Sequence, residues 1–238
     1  MMRFCVAMLL VLAASPSSAQ LKVLCVGDSI TAGGFGGGDA SSYRKRLKDA
    51  LTAAGISIDY VGPLASGEAG FTDNQHAGQS GWSTWTFGAD PARLKTYVSD
   101  ANPDYVLILI GTNDAYNVAH FPIGSALNEL GRMIRMTLEV KATAHVIVAT
   151  IPLITSAGQE EGAARAVTFN AGIPGLVAYE RSRGGDVRYL KVAWQASDNI
   201  DGIHPNNTGY QRLADAFFSA IRAIEIPGPW PVNPTRSP

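Results

Sequence analysis

Three short stretches of the chain carry side chains that could do chemistry together: Gly27-Asp28-Ser29-Ile30-Thr31, Gly111-Thr112-Asn113-Asp114 and Asp201-Gly202-Ile203-His204-Pro205. A serine hydroxyl is a weak nucleophile until a neighbouring base takes its proton. An acid three residues before an imidazole can, within one turn, accept from one ring nitrogen and leave the other facing a hydroxyl. Taken singly, each stretch has a plain structural explanation. Ser and Asp cap helices, Asn and Asp make turns, and an Asp–His pair can be a surface contact. Taken together, on successive loops of one fold, the set points to a serine-based hydrolase site.

Those loops need a frame, and the hydropathy pattern supplies one. Apolar runs over Leu21–Gly27, Ile56–Val61, Asp104–Ile110, His145–Thr150 and Val187–Lys191 predict five strands, the third apolar on both faces as a central parallel strand should be. Between them, helical spacing predicts helices over Ser42–Ala54, from Asp90-Pro91 to about Ser99, over Ile123–Val140, Glu160–Arg183 and Asn206–Ile224. The fourth should break near Gly172-Ile173-Pro174. Alternating strands and helices imply a three-layer α/β/α sandwich with a central parallel sheet of about five strands. Ligands bind such sheets beyond the C-terminal ends of their strands, where all three stretches fall.

Composition narrows the partners. Of 238 residues, 46% are apolar and 16% charged, which excludes a disordered chain. With 19 basic and 20 acidic residues there is no electrostatic footprint for nucleic acid or an anionic membrane. Arg3, the uncharged run Phe4–Ala14 and the small residues Ser17 and Ala19 read as a signal peptide over residues 1–19. That run is too short to span a bilayer as a helix, so the mature chain is expected to be exported without a membrane span. Cleavage leaves Cys25 without a second cysteine, and the run Val23–Val26 predicts that it is buried. Residues 20–226 are then one catalytic domain, and the five prolines of 227–238 an extended tail.

The order Gly-Asp-Ser, a loop glycine, Gly-x-Asn-Asp and Asp-x-x-His resembles the SGNH (GDSL-type) hydrolase superfamily over nearly the whole mature chain. The resemblance implies Ser29 as nucleophile, His204 as general base, Asp201 as its orienting acid, and Gly81 and Asn113 as oxyanion-hole donors beside the Ser29 N–H. It implies no cofactor and no metal. Ser42-Tyr43-Arg44, Asp59-Tyr60-Val61-Gly62 and His76-Ala77-Gly78-Gln79-Ser80-Gly81-Trp82 are further similar to carbohydrate esterase family 3, whose members are mostly acetylxylan esterases. Ala77 and Gln79 depart from the polar residues usual in that loop, so no contact is carried over to them. The substrate implied is an acetylated polysaccharide such as xylan, or a small ester. The same catalytic set would also serve a general lipolytic esterase or thioesterase. A carbohydrate-binding module that had lost catalysis is disfavoured by the intact Ser29, Asn113, Asp201 and His204.

Other residues carry weaker signals. Asp28 should order the Ser29 turn, because a buried carboxylate needs partners. Trp82, Trp85 and Phe87 could form a sugar-stacking platform or simply pack in the core, and Trp194 likewise. His76 could meet substrate or a metal, but stands without partners at ligand spacing and reads better as a hydrogen-bonded loop histidine. His120 and His145 read as structural or exposed. Gly33–Gly38 lacks the Gly-Lys-Ser/Thr of a phosphate loop and reads as a rim beside Ser29. Asn206-Asn207-Thr208 is a glycosylation sequon so close to His204 that it is expected to stay unused.

Overall fold

The computed structural model describes residues 20–117 and 122–227. In chain order these form β1 (Leu21–Gly27), α1 (Ser29–Ala32), α2 (Arg44–Ala53), β2 (Ile58–Val61), β3 (Leu64–Ala65), β4 (Gln75–Gly78), α3 (Thr84–Ala89) and α4 (Pro91–Ala101). There follow β5 (Tyr105–Leu109), α5 (Thr112–Tyr116), α6 (Ile123–Val140), β6 (His145–Ala149), α7 (Glu160–Ser182), β7 (Val187–Leu190) and α8 (Asn207–Glu225). The sheet runs β3-β4-β1-β5-β6-β7, with β2 also paired to β1. Helices α2 and α8 pack together, while α4 and α7 both pack on α6, which gives the two outer layers.

All five predicted strands are present, but among the described residues the sheet has seven. The two additions lie in what the apolar pattern marks as loop. β2 accompanies β1 from Leu21 to Leu24; β4 then takes its place beside Val26 and Gly27. Strand β3 lies antiparallel to β4, through Leu64–His76 and Ala65–Gln75. Neither has a run of apolar or β-branched residues, since β3 is two residues long and β4 reads Gln-His-Ala-Gly. Pairing with a buried neighbour makes them strands, and a local pattern does not record that.

The expected break in α7 does not occur: the helix is continuous from Glu160 to Ser182 with Pro174 inside it. A proline in a helix interior costs about 3 kcal/mol. Phe169, Ile173 and Val177 are all buried along the same face. Such side chains contribute roughly 1.5–3 kcal/mol each, enough to hold the helix through the interruption. Every residue of β5 is buried, as the unbroken apolar run requires. Cys25 is fully buried in β1, and burial pushes its thiol up to about 12, which leaves it unreactive. No helix among the described residues is long and apolar enough to cross a membrane.

Candidate active site

β4, β1 and β5 are adjacent, in register at Gly27↔Gly78 and Gly27↔Leu109. Their C-terminal ends therefore deliver residues 79–83, Asp28-Ser29 and Gly111–Asp114 to one edge of the sheet. Ser29 opens the four-residue helix α1, where a backbone N–H has no intrahelical acceptor. Asp28 caps that helix by accepting from Ile30 N–H at 2.9 Å, as its position before Ser29 suggested. It is fully buried, and its Oδ2 has no hydrogen-bond partner among the described residues. Burial pushes the Asp28 carboxyl up to about 7; the Ile30 N–H opposes this and the nearby Asp114 adds to it.

His204 comes from the long connection after β7, yet it meets the serine that follows β1, although β5 and β6 lie between those two strands. Its Nε2 stands 2.9 Å from Ser29 Oγ, and its Nδ1 stands 2.7 Å from Asp201 Oδ2. The other carboxylate oxygen of Asp201 accepts from the N–H groups of Ile203 at 3.0 Å and His204 at 2.7 Å. Burial alone would raise the Asp201 carboxyl, but the donors from His204 and Ile203 outweigh it and hold it below the usual range. An ionised Asp201 can only accept, so His204 Nδ1 carries the proton and Nε2 offers its lone pair to the Ser29 hydroxyl. The loop after β6 supports this connection: Gly202 O accepts from Thr155 N–H at 2.8 Å and Leu153 O accepts from the Asn199 amide. Phe35, from the glycine-rich rim, stacks on the imidazole at 5.7 Å between ring centroids.

On the other flank of Ser29, Asn113 donates from Nδ2 to the Trp82 carbonyl at 2.7 Å, which joins the segment after β5 to the segment after β4. Gly111, before α5, has φ +121°, and a Cβ there would lie 2.4 Å from the Phe169 ring. Gly81 is exposed with φ +79°, while a Cβ there would meet nothing within 4 Å. Its glycine is therefore required by backbone conformation, which turns the chain between Gln79 and Trp82, rather than by space.

The remaining sequence candidates divide sharply. Trp82 is half-buried: Tyr97 stacks on it at 6.5 Å, Phe87 meets it edge-on at 5.2 Å and the Arg93 guanidinium lies 5.3 Å from its ring. Phe87 is in the core, whereas Trp85 is 44% exposed. His76 is only 2% exposed and faces inward. Its Nδ1 accepts from Gly78 N–H at 3.1 Å, so Nε2 carries the proton and donates to Ser66 Oγ at 2.8 Å. Burial, then the Arg44 guanidinium, push the His76 imidazole down to about 3, so it is neutral. Trp194 donates from its indole N–H to Thr150 O. His145 sits at the start of β6, paired with Asp186 at 2.6 Å, at the far end of the sheet. His120 lies outside the described residues, as do residues 1–19 and 228–238. The Asn206 amide nitrogen donates to Ser197 O at 2.7 Å, and its oxygen caps α8. Among the described residues no group of three or more His, Cys, Asp or Glu is placed to hold a metal ion.

Two supporting residues carry no role in the sequence reading. Arg44 is fully buried and donates to the carbonyls of Thr31, Ala32, Asn74 and Ser66. It thereby satisfies the C-terminal end of α1 and ties it to the β3–β4 region. The second is Asp114, which binds Thr84 at the start of α3. Asp114 and Arg44 both lie in stretches that the sequence singles out, but the local spacing does not record these tasks, because the partners lie 12 to 30 residues away.

The sheet order and the Ser29–His204–Asp201 chain place this molecule among the SGNH esterases in fold. The model of the GDSL-like lipase/acylhydrolase family matches residues 25–212, and the chain belongs to that family. Among solved structures, a family 3 carbohydrate esterase from Clostridium thermocellum is similar at 30% identity with a TM-score of 0.71, over 86% of this chain and 98% of that one. A family 3 carbohydrate esterase from Talaromyces cellulolyticus shares the fold at 24% identity and TM-score 0.73, over the same shares of the two chains. A multidomain esterase of Ruminococcus flavefaciens is 28% identical over 247 residues, which cover 93% of this chain and 31% of that protein. The chain thus spans about a third of that relative's length. The family is described as one of lipases and acylhydrolases, and these relatives as esterases.

Proposed function

We propose that the chain is an exported serine esterase that removes acetyl groups from a carbohydrate such as acetylated xylan, with residues 20–226 as its hydrolase domain. The observation that carries the chemistry is the unbroken relay Ser29 Oγ···Nε2 His204 Nδ1···Oδ2 Asp201, at 2.9 and 2.7 Å. Ser29 Oγ attacks the ester carbonyl while His204 Nε2 takes its proton. Asp201 holds the imidazole in the productive tautomer and stabilises the imidazolium. The Ser29 and Gly81 N–H groups and the Asn113 amide stabilise the tetrahedral oxyanion. His204 then returns its proton to the leaving sugar hydroxyl, and a water repeats the sequence on the acetyl-enzyme. The carbohydrate reading draws on the family 3 esterase at 30% identity, and export on the leader-like residues 1–19.

Acetate release from acetylated xylan, measured beside hydrolysis of p-nitrophenyl esters of rising chain length, tests this. Wild type is expected to release acetate and to favour the acetyl ester, and Ser29→Ala to lose both activities by about 10⁴–10⁶-fold. Preference for butyryl or longer esters with no acetate from xylan would replace this reading with a lipolytic one. Full activity in Ser29→Ala would remove the serine mechanism altogether.

A further inference from the structure

An oxyanion hole assembled from two separate loops works only if the loops hold a fixed spacing. Donors must lie within hydrogen-bond range of the oxyanion, and a misplacement of 1 Å can cost about 10²-fold in rate. In this chain the two segments are residues 79–84, which end on the first residue of α3, and 111–114, about 30 residues apart in sequence. Two hydrogen-bonded links join them. One is the Asn113 amide on the Trp82 carbonyl at 2.7 Å, which uses one of the two Nδ2 hydrogens and so fixes where the other points.

The second link is made by Asp114. Its Oδ2 accepts from Thr84 N–H at 2.9 Å and its Oδ1 from Thr84 Oγ1 at 2.7 Å. Thr84 is fully buried and Asp114 is 5% exposed, so water does not compete for these bonds. Thr84 begins α3 directly after Gly81-Trp82-Ser83, and its N–H is one that the helix itself leaves unpaired. The main-chain carbonyl of Asp114 accepts from Arg165 Nη2 at 2.7 Å, which anchors α5 to α7. Asp114 therefore grips the far end of the Gly81 turn while standing next to Asn113.

We propose that Asp114 is a positioning residue of the oxyanion hole, setting the spacing between the Gly81 N–H and the Asn113 amide through its paired bonds to Thr84. This rests on the oxyanion-hole assignment made above and extends it to a residue that does not touch substrate. Asp114→Ala leaves the Thr84 N–H and hydroxyl buried without a partner and frees the turn. Asp114→Asn keeps both contacts, because the amide oxygen can accept from Thr84 N–H while its nitrogen donates to Thr84 Oγ1.

The test is kcat and KM on p-nitrophenyl acetate, normalised to the folded fraction seen by near-ultraviolet circular dichroism. Asp114→Ala should lose about 10–10²-fold in kcat with KM within about twofold, and Asp114→Asn should recover most of that loss. Asn113→Ala/Asp114→Ala should fall by less than the product of the two single losses, because both act through one spacing. Thr84→Val, which keeps the N–H bond and loses the hydroxyl, gives a milder version if Asp114→Ala does not fold, with a kcat loss of about 3–10-fold expected. Wild-type kcat per folded molecule in Asp114→Ala, or in Thr84→Val where the former does not fold, would overturn the proposal. So would fully multiplicative losses with Asn113→Ala. Failure of the underlying oxyanion-hole assignment is distinguishable, because Asn113→Ala would then keep wild-type kcat.

Discussion

The two flanks of Ser29 are built on different principles. On the oxyanion flank the side chains that set the geometry are cross-braced, with Asp114 and Arg44 buried and Asn113 half-buried: Asp114 on Thr84, Asn113 on Trp82 O, and Arg44 on the carbonyls that end α1. On the base flank, Asp201 is 37% and His204 17% exposed at the side chain, held by bonds within one turn and by the loop after β6. The difference follows the chemistry. Oxyanion donors stabilise charge by staying still, whereas an imidazole must exchange protons with serine, leaving group and water. Preorganisation belongs to the cross-braced flank, and access to protons belongs to the other.

The largest effect that would expose this division comes from the base flank. Asp201→Asn keeps the shape of the carboxylate but removes the acceptor that fixes the Nδ1–H tautomer, so kcat should fall by about 10³–10⁴-fold. The acidic limb of the pH–rate profile should shift as well, because the imidazolium loses its anionic partner. A profile with unchanged shape and a loss under tenfold would show that the exposed flank is not where protonation is set.

Asn113→Ala probes the opposite flank and should be smaller, about 10²–10³-fold in kcat with little change in KM. Its pH–rate profile should keep the wild-type shape, since no titrating group is touched. A shifted acidic limb in Asn113→Ala would break the comparison, because the two flanks would then be electrostatically one unit. Pre-steady-state measurement of the acylation step on p-nitrophenyl acetate separates these outcomes from a change in deacylation.

How much of this was legible in the sequence follows the same division. The base flank is local: Asp201 and His204 are three residues apart, and Asp-x-x-His signals its own hydrogen bond. The frame was equally readable where burial leaves a continuous pattern, as in β5 and in α6, whose Ile123–Val140 limits coincide with those expected. The oxyanion flank is assembled across the sheet. β4 is a strand only because β1 offers its edge, and His76 on it points inward to Ser66 rather than outward to substrate. From its type Trp82 could be a platform or pack in the core, and Tyr97, Phe87 and Arg93 pack around its ring. Pro174 reads as a helix break until the burial of Phe169 and Ile173 is known. Such facts depend on partners distant in sequence, which no local spacing records.

The smallest predicted effect concerns stability, and it sharpens the comparison by asking which buried groups feel pH. Asp28 and His76 are both held neutral by burial, with pKa values of about 7 and about 3 against ordinary values of 3.8 and 6.5. For Asp28 the folded state keeps a proton that the unfolded chain has lost, so its contribution is complete below about pH 4 and is lost as pH rises through 7. For His76 the unfolded chain binds a proton that the folded state refuses. Its contribution is complete above about pH 6.5 and is lost as pH falls through 3. Between about pH 4 and 6.5 the two slopes are opposite, each about 1.4 kcal/mol per pH unit, and they cancel. Asp28→Asn should therefore make unfolding free energy in urea rise with pH across that window relative to wild type, and His76→Gln should make it fall. The double variant should restore the wild-type slope. Single variants that both keep the wild-type slope would mean that neither group is neutral by burial, and that the walls around Ser29 are wetter than their packing implies.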